Sequence, residues 1–89
     1  MARLNLNDVA DAGILPAATS AEALFELGLM YSAGRDVEPD MITAHKWFNL
    51  AALRGSERAK AYRMELSREM SKREIAEAQR QAREWLKRH

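Results

Sequence analysis

Leu24, Leu27, Gly28 and Tyr31 follow one another at the i, i+3, i+4, i+7 spacing that lines up one side of a helix. Ala44, Trp47, Phe48, Ala51 and Ala52 repeat the arrangement further along. Between the two runs, Gly34 stands where a helix end wants a residue tolerant of positive φ, and Asp40 after Pro39 is placed to cap a new helix. The spacing predicts a first helix from near Ser20 to about Ala33, opened by the capping-box pattern Thr19–Ser20–Ala21–Glu22. A second helix from Asp40 to about Arg54 folds back on it. Trp47 and Phe48 are adjacent, so they point apart, one toward the first helix and the other toward whatever follows. The first helix is apolar nearly all round. Phe25, Leu29 and Met30 occupy its other flanks and leave Glu22, Glu26 and Ser32 for water, so the helix must be covered on more than one side.

Beyond Gly55, Ser56 can cap a third helix over residues 56–70, with Ala59, Tyr62, Met64, Leu66 and Met70 set among many charges. Ser71–Lys72–Arg73–Glu74 is a second capping box and opens a fourth helix to about Lys87, with the stripe Ile75, Ala78, Ala82, Trp85 and Leu86. Arg73–Glu77, Arg80–Glu84 and Glu84–Arg88 are spaced for i, i+4 ion pairs. The segment AlaArgGluTrpLeu at 82–86 echoes AlaHisLysTrpPhe at 44–48, so the second half reads as a worn copy of the first hairpin. In that copy Leu27 and Gly28 become Arg63 and Met64, and Tyr31 becomes Ser67. Charge in place of stacking residues is what a terminal capping element needs.

Taken together, Leu27–Gly28 and Tyr31, then Gly34 and Val37, then Asp40, Ala44, Trp47–Phe48, Ala51–Ala52 and Gly55 resemble the Sel1-like repeat, a relative of the tetratricopeptide repeat. The resemblance covers about one repeat well and weakens toward the C-terminus. It implies an all-α short solenoid and a protein-binding adaptor without catalysis, and it leaves the partner unnamed. With the residue pattern, the expected organisation is an N-terminal arm (1–18), a Sel1-like hairpin (19–55) and a degenerate second hairpin acting as a C-terminal cap (56–89), the two antiparallel hairpins stacked.

Residues 1–18 carry Leu4, Leu6, Val9, Ile14 and Leu15, more large aliphatics than a solvated tail needs, so the arm is expected to pack on something. Either the arm covers the first helix within its own chain or another copy of the chain does. Eighty-nine residues make one small domain in which burying enough apolar surface is hard. No cysteine is present, which removes disulfides and cysteine-type zinc sites and fits a reducing, cytoplasmic setting. No apolar run is long enough to span a membrane. Efficient helix packing and self-association are the routes left.

Charge adds one feature. Residues 1–53 hold three basic and seven acidic side chains, a net −4; residues 54–89 hold eleven and six, a net +5. Opposite ends can attract one another in an antiparallel homodimer, or the basic half can attract an acidic partner. Arg54, Arg58, Lys60, Arg63, Arg68, Lys72 and Arg73 could mark a nucleic-acid surface, but interleaved acids and the lack of an aromatic platform other than Tyr62 favour a solvated face. Catalytic, cofactor and metal sites are not expected. His45 lacks partners for a base or ligand role and reads as a surface or interface histidine, and Asp36, Glu38 and Asp40 lack the spacing of a calcium loop. The candidate recognition surface is Glu22, Phe25, Glu26, Leu29 and Met30 on the first helix, with His45 and Phe48 on the second as the fallback.

Overall fold

In the computed structural model, which describes residues 20–89, the chain forms four helices: α1 (Ala21–Ala33), α2 (Met41–Leu53), α3 (Glu57–Ser67) and α4 (Lys72–Arg88). The described residues contain no strand. Every helix starts on a side-chain cap. Ser20 Oγ accepts from Ala23 N, Asp40 Oδ1 from Thr43 N, Ser56 Oγ from Ala59 N and Ser71 Oγ from Glu74 N, all at 3.1 Å. These bonds satisfy amide protons that the first helical turn leaves without a partner. Glu74 Oε1 returns the bond to Ser71 N at 2.8 Å, completing the capping box expected there. The box read at Thr19–Glu22 closes differently: Ser20 is the cap and Ala23 takes the third position, so Glu22 serves as a first-turn acid at the positive end of the helix.

α1 ends on Gly34, whose φ of 74° is the left-handed conformation expected of that glycine. Gly34 N and Arg35 N both donate to Met30 O, and Asp40 N donates to Tyr31 O at 3.0 Å, which turns the chain directly into α2. Asp36 also adopts a positive φ, 62°, within this turn.

α2 is the centre of the molecule. α1, α3 and α4 all pack on it, α1 and α3 touch more lightly, and α4 makes no substantial contact with either α1 or α3. Enclosure from three sides explains why residues 43–48 are buried without interruption, followed by Leu50 and Ala51. No amphipathic helix shows that pattern. The adjacent rings divide the neighbours between them. Phe48 faces α1 and α3, with ring centroids 5.8 Å from Phe25 and 5.5 Å from Tyr62, while Phe25 and Tyr62 meet edge to face at 5.4 Å. Trp47 turns to α4 and meets Trp85 edge to face at 5.9 Å. Small residues make the α1–α2 contact close: the Phe48 ring lies against the backbone of Gly28, where a Cβ would collide with it.

The outer helices are less enclosed than their stripes suggested. On α3 only Ala59 is fully buried, and Met64 is exposed. On α4, Ala78, Ala82 and Trp85 are buried as expected, but Leu86 is 43% exposed, since no helix among the described residues lies on that flank. The i, i+4 ion pairs also give way to i, i+3 pairs, Arg80–Glu77 at 2.7 Å and Lys87–Glu84 at 3.5 Å. The N-terminal arm, residues 1–18, lies outside the described residues.

Candidate protein-binding surface

The seven candidate recognition residues separate into two groups. Glu22 and Glu26 are exposed on α1, and Leu29 and Met30 beside them are half-buried. Glu22, Glu26 and Met30 lie on the side of α1 opposite its buried stripe, and Leu29, at the edge of that side, packs partly against the core. Glu26 and Arg35 approach to 3.8 Å, both well solvated, a pair worth little in water.

Phe25, His45 and Phe48 are not on the surface. Phe25 is shut in by Phe48 and Tyr62, and the Arg58 guanidinium lies 4.8 Å above its ring. Phe48 is the ring packed on Gly28. The reading of Phe25 as an outer-flank residue placed it correctly on the helix, but α3 crosses over that flank. Tyr62 and Arg58, more than thirty positions away, supply the cover.

His45 is 2% exposed, against the expectation of a surface histidine. Its Nε2 sits 2.9 Å from Ser67 Oγ on α3, and Ser67 Oγ donates its own hydrogen to Arg63 O at 2.9 Å. With that hydrogen committed, Ser67 Oγ can only accept, so Nε2 carries the proton and Nδ1 is bare. Nδ1 is buried without a hydrogen-bond partner among the described residues. Burial, and secondarily the Arg63 guanidinium, hold the His45 pKa below its ordinary 6.5. This is a structural histidine joining α2 to α3, and it makes the fold acid-sensitive. The unfolded chain takes up this proton near pH 6.5, whereas the folded chain resists it. The stabilisation is therefore complete above about pH 6.5 and is lost as pH falls through the lower, folded value. Urea midpoints measured from about pH 7.5 down to about pH 5 should fall more for the natural chain than for His45→Gln, which can still donate to Ser67. Equal slopes would refute this role.

α4 presents the other free surface. All three of its acids, Glu74, Glu77 and Glu84, sit on one flank and all are engaged, Glu74 in the capping box and the other two in ion pairs. Glu77 receives Arg80 Nε at 2.9 Å, Arg80 Nη2 at 2.7 Å and Gln81 Nε2 at 3.0 Å, which lowers its pKa to about 2. The opposite flank holds Lys72, Ile75, Ala76, Gln79, Arg83 and Leu86 and carries no acid; all of these are exposed except the half-buried Ile75. Among the described residues no ion pair engages Lys72 or Arg83. The clustering of positive charge in residues 54–89 pointed here, but its sorting onto one flank of α4 becomes visible only once the buried side of the helix is known.

No group of three or more His, Asp or Glu among the described residues is placed to hold a metal ion. Asp40, in the loop weighed for calcium, spends both carboxylate oxygens on Thr43, accepting from its backbone N at 3.1 Å and from its Oγ1 at 2.8 Å. No helix among the described residues is long and apolar enough to cross a membrane.

Comparison with known families gives a match over the first hairpin. Residues 21–56, spanning α1, α2 and the turn into α3, match the family model of the Sel1 repeat. No curated protein and no solved structure gives a match to the chain.

Proposed function

We propose that this Sel1-like repeat protein is a non-catalytic adaptor that binds other proteins through helix faces left free by its core. The observation carrying the proposal is the asymmetry of burial. α2 is enclosed by three helices, while α1 and α4 each keep a face that mixes apolar and charged groups outside the core. Sel1 repeats generally mediate protein–protein contacts, and mixed faces of this kind resemble the composition of non-obligate interfaces. Glu22, Glu26, Leu29 and Met30 form the surface we assign to recognition. A cysteine-free chain suits a reducing cytoplasm.

The test is affinity capture with the full chain against Glu22→Lys/Glu26→Lys. Loss of the specifically captured proteins on charge reversal is the expected result, and undiminished recovery would remove the α1 rim from the interface. A nucleic-acid role is the weaker reading. Tyr62, the one aromatic among the basic residues of α3, packs part of its ring on Phe25 and Phe48 and leaves less than half of its surface exposed, a single partial platform where such binders line up several. A mobility shift with single- or double-stranded oligonucleotides at low salt would revive it.

A further inference from the structure

The two faces left free among the described residues match each other. On α1, Glu22, Glu26, Leu29 and Met30 combine negative charge with apolar surface; on α4, the acid-free flank combines apolar surface with Lys72 and Arg83. At 1.5 Å per residue the α1 face is about 13 Å long and the α4 flank about 22 Å, so the shorter lies within the longer. Laid antiparallel, they fall into one register. Glu22 comes opposite Arg83, Glu26 opposite Gln79, and Leu29 and Met30 opposite Ala76 and Ile75. Eight residues separate Glu22 from Met30, and eight separate Ile75 from Arg83, so the charge contact and the apolar contact form together.

Within one chain the two helices have at most a marginal contact, each packing on α2 instead. A second copy of this chain would supply both an acidic–apolar helix to α4 and a basic–apolar helix to α1. We propose that copies associate head to tail, the outer face of α1 of one chain lying antiparallel along the Lys72–Leu86 flank of α4 of the next. The contact rests on the adaptor reading above and identifies one partner of the α1 face. It continues between molecules the antiparallel stacking that α1, α2 and α3 show within one. The two faces are different, so the contact is heterologous, and each added copy still offers one face of each kind. A single helix pair is a small interface, which places the association at the weak, transient end of the range.

The experiment is light scattering on the full chain over a dilution series up to about 1 mM, a range suited to a contact of this size. Mass above 10.1 kDa that rises with concentration and falls with added salt is expected. Arg83→Glu and Glu22→Arg should each weaken association by at least about tenfold, the effect of setting like charges opposite one another. Mixing the two single variants should restore it, because each then carries the face the other has lost. Circular dichroism of each variant separates lost contact from lost fold. A full chain that stays monomeric throughout overturns the proposal, as does association indifferent to both reversals. Either result leaves the adaptor reading standing if capture of other proteins still depends on Glu22 and Glu26, so the two proposals fail separately.

Discussion

Trp85→Ala should cost about 3–5 kcal/mol, the usual range for emptying a large aromatic site in a core. Domains of this size have only about 5–15 kcal/mol in total, so the variant is expected to be largely unfolded or molten at room temperature. The expectation follows from how α4 is attached. Its contact with the rest of the molecule is made on α2, through Ala78, Ala82 and Trp85, and only Trp85 is large. The indole meets Trp47 edge to face, is flanked by the Arg54 guanidinium 5.5 Å away, and stacks on the His89 ring at 4.3 Å. No alanine of α4 can close the space it would leave. Trp85→Phe should cost much less, because the Trp85 Nε1 hydrogen has no bond to lose among the described residues. Urea unfolding followed by circular dichroism and by the fluorescence of the remaining Trp47 tests both variants. A Trp85→Ala chain with the natural urea midpoint would mean that α4 is not packed on α2 as described.

That dependence on one aromatic pair was visible in the sequence only in outline. The echo of residues 44–48 in residues 82–86 marked Trp85 as the counterpart of Trp47, and their spacing put each on a buried stripe. Helix limits were legible for a local reason: Ser20, Asp40, Ser56 and Ser71 act on amides three residues away, and Gly34 on carbonyls just behind it. What sequence could not supply was the direction from which distant helices arrive. Lys46 is buried although lysine favours water, because its stem can run along α2 and leave its ammonium 4.4 Å over the Trp47 ring. His45 is buried because Ser67, twenty-two residues on, presents an acceptor to it. Phe25 was correctly placed on an outer flank of α1 and incorrectly offered to a partner, since α3 had already taken that flank. Leu86 failed in the opposite sense: its place in the echo of residues 44–48 matches that of Phe48, but among the described residues no helix covers it as α3 covers Phe48. Exposure on α1 was half legible. The charges of Glu22 and Glu26 kept them outside under any packing, whereas aromatics nearby could be assigned only from the fold.

Gly28→Ala should destabilise the chain by about 1–3 kcal/mol, the range for overpacking a well-filled core. Intrinsic preference points the other way, since alanine favours a helix interior by about 1 kcal/mol over glycine. The collision decides the sign. A Cβ at position 28 would press into the Phe48 ring, and that ring cannot swing aside, being 1% exposed and held between Phe25 and Tyr62. The contact can be relieved only by moving α1 away from α2, which would loosen Leu24, Leu27 and Tyr31 together. Removing the obstacle should reverse the result. In a Phe48→Leu background, itself less stable, Gly28→Ala should become neutral or stabilising as the helix preference reasserts itself. Four urea midpoints, from the natural chain, both single variants and the double variant, measure this coupling. Additive effects would mean that the α1–α2 approach is set elsewhere. By letting Phe48 pack on its backbone, Gly28 holds α1 close on α2, and so sets where Glu22, Glu26, Leu29 and Met30, the residues proposed for recognition, stand.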